Sequence, residues 1–155
     1  MGIKSFQGQR VEPEKLQSAP ILVKDYMSHS LITFRKDDPV INVIEALMKH
    51  KISGAPVVNE RNELIGVISD GECMKQISEN RYYNIPIGDK RVEEFMKTNV
   101  PTIDKNVNIF DCASLFHKHG CRRFPIIENG KLIGQISRKD ILYAAMKLRA
   151  QNWHS

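Results

Sequence analysis

The chain has 155 residues, 41% apolar and 26% charged, with 9 Gly and 3 Cys; this suits an ordinary buried core and excludes collagen-like, disordered and disulfide-scaffold chains. The length allows one domain or two very small ones, with no need of a disulfide or metal staple. The net charge of +5 is uneven: residues 1–88 carry 11 Lys+Arg against 11 Asp+Glu, residues 89–155 carry 12 against 7; an anionic partner would meet the second half, but on charge alone a solvated helix surface is the better account.

Residues 1–20 are polar and charged and read as an N-terminal arm without the apolar stretch of a secretory leader. No apolar run approaches the roughly 20 residues of a membrane-spanning helix, so no membrane partner is expected. Cys73, Cys112 and Cys121 have no close pairing, which suits a reducing compartment and a cytoplasmic location.

From Ser30 to Phe34 the chain reads as a short extended piece. An amphipathic helix follows, capped by Asp37 or Asp38 with Pro39 in its first turn and an apolar stripe of Val40, Val43, Ile44, Leu47 and Met48. Pro56–Val58 and Leu64–Ile68 flank a polar turn and predict a hairpin, and Ser69 opens a second helix. Residues 81–91 are a polar linker. Val100–Ile103 is again extended. The next helix has Asn106 as cap, a stripe of Ile109, Phe110, Ala113 and Phe116, and Gly120 as its stop. Phe124–Ile127 and Leu132–Ile136 flank Asn129-Gly130, a strong two-residue hairpin signal. Ser137 opens the last helix, from Arg138 to about Ala150, with Ile141, Leu142, Ala145, Met146 and Leu148 mostly on one side; residues 151–155 are a tail.

The two halves are one unit written twice. An offset of 69 sets Met27 over Met96, Thr33 over Thr102, Lys49 over Lys118, His50 over His119 and Pro56 over Pro125. Past the shorter second turn the offset is 68, and Leu64-Ile65-Gly66 falls on Leu132-Ile133-Gly134, Ile68 on Ile136 and Ser69 on Ser137. The fold class is therefore α/β (α+β): two β-α-β-β-α repeats, residues 21–80 and 92–150. Each is small for independent stability, so the expectation is that they pack sheet to sheet with pseudo-twofold symmetry and leave a cleft.

Several residues carry chemistry. Ser69-x-x-Glu72 and Ser137-x-x-Asp140 fit a helix capping box. Arg122-Arg123 is either a solvated pair before an edge strand or a fork for phosphate oxygens. Arg138 and Lys139 lie at a helix N-terminus, where cations are unfavourable without a counter-charge; this favours an anion nearby. Cys112, His117, His119 and Cys121 lack zinc-ligand spacing, so no metal site is expected. No orienting group accompanies a catalytic Cys–His pair. There is no phosphate-cradling glycine loop, and the 11 aromatic residues are not interleaved with the basic ones, so nucleic acid is not an expected partner.

Taken in order, Asp25-Tyr26-Met27, Gly54–Val58 (GAPVV), Leu64–Glu72 (LIGVISDGE), Glu94-Phe95-Met96, Arg123–Ile127 (RFPII) and Leu132–Asp140 (LIGQISRKD) resemble a tandem pair of CBS (cystathionine β-synthase) domains over residues 21–150. The resemblance implies a non-catalytic regulatory module that binds an adenine nucleotide (AMP, ADP or ATP, in some members NAD or S-adenosylmethionine) in the cleft. It also implies a homodimer that signals to a partner protein. It implies one site with Ser137 and Asp140 on the ribose, Met27, Ile32, Ile52, Ser53 and Gly54 on the base side, and Arg122 and Arg123 toward phosphate. A second, weaker site would use Ser69, Glu72, Met96, Pro101 and Cys121. Glu72 departs from the family pattern by one methylene, and Pro101 lacks an N–H that could read the base, so the Asp140 site is the favoured one. The alternative is a ligand-free, dimerising interaction module in which these residues only pack and cap.

Overall fold

The computed structural model describes residues 21–83 and 89–153; the arm, the middle of the linker and the last two residues lie outside them. The described residues form two compact units that interleave along the chain. One comprises residues 28–83, 89–103 and 124–135, the other residues 21–27, 104–123 and 136–153.

In the first unit, α1 (Val40–His50) buries Val40, Val43 and Leu47, spaced as one helical stripe. Met48 was expected on that stripe but is 74% exposed, because one further residue rotates it about 100° away from Leu47. Neither Asp37 nor Asp38 caps the helix. Pro39 is the N-cap and offers no side-chain acceptor, while Asp38 accepts the Arg35 N–H at 2.9 Å and closes the turn before the helix. Lys51, at φ 55°, ends it.

The hairpin of β1 (Gly54–Val58) and β2 (Leu64–Ser69) pairs antiparallel from Gly54 opposite Ser69 to Val58 opposite Leu64. β1 is buried throughout. α2 (Asp70–Tyr83) follows, and the short α3 (Val92–Phe95) packs back. The core gathers Phe34, Val40, Val43, Leu47, Val57, Ile68, Val92 and Phe95.

The extended pieces expected at Ser30–Phe34 and Val100–Ile103 do not form strands. Each makes a single parallel bridge, Phe34 to Val57 and Ile103 to Ile126. Proline is the reason. Phe34 donates to the Pro56 carbonyl and accepts from Val58, as Ile103 does with Pro125 and Ile127. The next rung would need an N–H on Pro56 or Pro125, which neither has.

β3 (Arg123–Glu128) and β4 (Lys131–Ser137) form the second hairpin. Asn129 and Gly130 turn it at φ 53° and 79°, the left-handed pair that a two-residue turn requires. Within the unit this turn meets the first hairpin's: Leu132 N–H donates to the Asn62 carbonyl at 3.0 Å and Asn62 Nδ2 returns a bond to the Leu132 carbonyl at 2.9 Å.

In the second unit, residues 21–24 run beside residues 105–109, with Val23 N–H on the Val107 carbonyl at 2.8 Å. α4 (Ile109–His119) is capped by Asn108, whose Oδ1 accepts from Phe110 and Asp111. The expected cap, Asn106, instead gives its N–H to Asp104 in the preceding turn. Gly120, at φ 65°, stops the helix as expected. The buried stripe is Ile109, Cys112 and Phe116; Phe110 is 54% exposed and Ala113 is exposed too. α5 (Arg138–Trp153) packs on α4 and buries Ile141, Ala144 and Leu148. Leu142, Ala145 and Met146, expected with that stripe, face outward. None of the described helices is long and apolar enough to cross a membrane.

Candidate functional site

Two corners carry the chemistry, each where a hairpin strand runs into a helix. At the first, β2 ends in Ser69 and α2 brings Glu72 back over it. Glu72 Oε1 accepts the Ser69 N–H at 2.8 Å and the Ser69 hydroxyl at 2.5 Å. Its Oε2 stands 3.6 Å from Lys97 Nζ. Lys97 is placed there by backbone: it exchanges two hydrogen bonds with Val67, at 2.8 and 2.9 Å, so its side chain shares the face of Val67 and Ser69. Met96, one residue earlier, points the other way. It packs on the core, and a Cβ on Gly66 would stand 2.8 Å from both Met96 Sδ and the Lys97 carbonyl oxygen.

At the second corner, β4 ends in Ser137 and α5 brings Asp140 back. Asp140 Oδ2 accepts the Ser137 N–H at 2.8 Å and its hydroxyl at 3.0 Å, and Asp140 N–H donates to Ser137 Oγ at 3.3 Å. Asp140 is half-buried, and its Oδ1 has no hydrogen-bond partner among the described residues. The residue matching Lys97 is Ser28, which exchanges bonds with Gln135 at 2.8 and 3.0 Å. Arg138 Nε donates to the Cys121 carbonyl at 2.8 Å and the Arg138 N–H to Arg122 at 3.3 Å, so α5 holds the Cys121–Arg122 segment by its backbone.

The residues expected to act divide between the units. Met27, Cys121, Arg122, Arg123, Ser137 and Asp140 belong to one; Ile32, Ile52, Ser53, Gly54, Ser69, Glu72, Met96 and Pro101 belong to the other. Ile32 and Ile52 lie half-buried against the core of the latter, the Ser53 carbonyl accepts the Asp70 N–H at 2.8 Å, and Pro101 is exposed. An open depression of about 280 Å³ in the same unit is lined by Leu64, Ile65, Gly66, Asn99, Val100, Thr102, Ile127 and Gly130. The sequence reading named Met27 and Met96 and passed over Ser28 and Lys97. Strand alternation would have found them, once β2 and β4 were known to gain a third chain segment.

Burial pushes all three thiols up, Cys112 to about 11, with Cys121 nearby adding to the effect. They are protonated at neutral pH and are poor nucleophiles and ligands. No group of three His, Cys, Asp or Glu is placed for a metal among the described residues.

Two repeats that each carry one such corner match a known domain. The sequence profile of the CBS domain family fits residues 23–79 and 92–147. The chain belongs to the CBS domain family. Protein MJ1426 of Methanocaldococcus jannaschii is 30% identical to this CBS pair over 80% of this chain and 90% of its own. Other relatives are longer. Inosine-5′-monophosphate dehydrogenase of Aquifex aeolicus is 29% identical over 88% of this chain, which spans 26% of that enzyme. Among solved structures, CBSX2 in complex with AMP is 26% identical with a TM-score of 0.75, covering 84% of this chain and 99% of that one; CBSX2 is a CBS-pair protein from Arabidopsis thaliana. The CBS domain pair of protein MJ0100, in complex with 5′-methylthioadenosine and S-adenosyl-L-methionine, is 26% identical with a TM-score of 0.71, over 83% of this chain and 98% of that one.

Proposed function

We propose that this CBS pair is a non-catalytic regulatory module that binds an adenosine-containing nucleotide at the Asp140 corner and passes its occupancy to a partner protein. The observation that carries this reading is the half-buried Asp140 carboxylate, which keeps Oδ1 open while Ser137 holds Oδ2. Two ribose hydroxyls need an acceptor of that kind, and bonds to an ionised carboxylate are the stronger sort. Glu72 offers less, since Ser69 and Lys97 already engage both of its oxygens. Arg122 and Arg123 supply guanidinium groups suited to phosphate. AMP, 5′-methylthioadenosine and S-adenosylmethionine, found in similar structures, share the adenosine and differ at the 5′ position. The expected setting is the cytoplasm, where protonated free thiols and adenine nucleotides coexist.

A second reading, a ligand-free dimerising module, draws on the exposed Ile41, Met48, Met74 and Ile77 of one unit and Phe110, Leu142, Tyr143 and Met146 of the other. Apolar side chains on paired helices favour a homodimer, which is also part of the first reading.

Calorimetry against AMP, ADP, ATP, NAD and S-adenosylmethionine tests the proposal. Asp140→Ala is expected to weaken binding roughly 10- to 100-fold, the value of losing about 1.5–3 kcal/mol in bonds to a charged group. Glu72→Ala should stay within about twofold. A ligand at 100 times its dissociation constant stabilises by about 2.7 kcal/mol. If no adenine compound raises the melting temperature while sedimentation gives a dimer, the second reading replaces the first.

A further inference from the structure

Each compact unit exposes an apolar helix stripe beside its core stripe, and the two differ in the charge set among the apolar groups. On α1, Ile41, Ile44, Glu45 and Met48 recur at the spacing of one helical face, beside the buried Val40, Val43 and Leu47. Ile44 is half-buried and the other three are exposed. α2, packed on α1, adds the exposed Met74 and Ile77. On α5 the same spacing gathers Leu142, Ala145, Met146 and Arg149, all exposed, and α4, packed on α5, adds the exposed Phe110 and His117. The charged member of the α1 stripe is an acid, Glu45, which makes no hydrogen bond or ion pair among the described residues. The charged member of the α5 stripe is a base. Over the whole helices the contrast persists: α1 and α2 hold four acidic and three basic residues, α4 and α5 two acidic and five basic.

We infer that two copies of this chain associate through unlike faces: α1 and α2 of one copy dock on α4 and α5 of the other, with Glu45 paired to Arg149; this rests on the homodimer that both readings above contain. The alternative is an isologous contact, in which each face meets itself. The stripe charge then available to Glu45 is a second Glu45, and to Arg149 a second Arg149, and like charges set together across an interface are costly. Joining unlike faces gives the carboxylate a guanidinium, a pair that can form two parallel bonds. It also sets the thioethers of Met48 and Met74 on the face that carries Phe110, and sulfur packs favourably on aromatic rings. The apolar groups supply the burial in either arrangement; the charges select between them by penalising the like-face one.

The test is charge reversal on the full chain, read as the association constant by analytical ultracentrifugation in the parent, Glu45→Arg, Arg149→Glu and doubly reversed proteins. Each single change sets like charges together in the unlike-face contact and should weaken association roughly tenfold or more. The double change restores opposite charges and should return association to within about threefold of the parent. Both side chains are exposed, so the variants should keep the parent's far-ultraviolet circular dichroism, which guards against misfolding. Cross-linking gives an independent readout: Met48→Cys and Met146→Cys proteins, treated with a short bismaleimide, should gain a cross-linked species over the parent when mixed and not when either is alone. If only one single change weakens association, if the double change brings no recovery, or if either cysteine protein cross-links alone, the unlike-face pairing fails and the homodimer stands. If the parent stays monomeric at every concentration, both are overturned.

Discussion

Glu72 is held from two sides, by Ser69 through Oε1 and by Lys97 through Oε2, whereas Asp140 is held by Ser137 alone, through one oxygen. The backbones around them follow one plan: Lys97 laces to Val67 as Ser28 laces to Gln135. What differs is what that lacing brings alongside, a lysine at one corner and a serine at the other. Lys97 is 71% exposed, so its ion pair adds little to stability. Its consequence is local, because it occupies the oxygen that a ligand would use. Duplication thus supplies two equivalent frames, and a few matched positions decide which becomes a structural clasp and which keeps an acceptor to offer.

The largest expected effect outside ligand binding tests the lacing itself. At the Glu72 corner the segment Met96–Lys97 approaches Gly66 so closely that an added Cβ would meet a backbone oxygen at 2.8 Å. A carbonyl cannot swing aside as a side-chain tip can. Gly66→Ala should cost about 1–3 kcal/mol, as overpacking does, and lower the melting temperature by roughly 3–10 °C for a chain of this size. It should also loosen Lys97 from Glu72. An unchanged melting temperature would mean that the third segment is not held against β2, and the matched frames would lose their common basis.

The duplicated frame was legible in the sequence because its signals are local. Asn129-Gly130 can hardly do other than turn a hairpin, Gly120 stops a helix by its own conformational freedom, and a Ser three residues before an acid closes on itself. What stayed hidden depends on distant partners. Asn106 and Asn108 are equally good caps by type; the choice falls on Asn108 because the helix starts at Ile109, which puts the Phe110 and Asp111 N–H groups within reach of Asn108 Oδ1, while Asn106 lies in the turn that Asp104 closes. Met48, Phe110, Leu142 and Met146 look like core in an amphipathic pattern, but the helices bury narrower stripes than their apolar content allows. Lys97 matters only because a segment far along the chain lies beside β2, and nothing in the neighbourhood of Lys97 announces that.

Caps give the second, smaller contrast. The helix after the first extended piece begins at Pro39 with no side-chain acceptor, while its counterpart begins at Asn108 with two bonds. Asn108→Ala should cost about 1 kcal/mol, the usual value of an N-cap. Asn106→Ala, at the position the sequence favoured, should cost a few tenths at most, since its side chain has no such role. Urea denaturation separates the two, and equal losses would return the cap to Asn106.

The smallest effect is invisible at neutral pH. Cys112 occupies the buried stripe of α4 where the first repeat has Val43 in α1, and both are fully buried. Cys112→Val restores the repeat's own residue and should change stability at pH 7 by less than about 1.5 kcal/mol, as volume-conserving swaps do. Above pH 8 the two proteins should part. An unfolded cysteine ionises near pH 8.5, but burial, with Cys121 nearby, pushes the folded thiol to about 11. Between those values the folded state keeps a proton that the unfolded state has released. The linkage slope is then negative, and the parent loses stability as pH rises, by at most about 1.4 kcal/mol per pH unit for one group. Valine carries no proton, so the variant's curve is flatter by up to that amount, while Cys73, present in both, cancels. Parallel curves from pH 8 to 11 would mean that Cys112 ionises as easily folded as unfolded, which a thiol packed as tightly as Val43 cannot do.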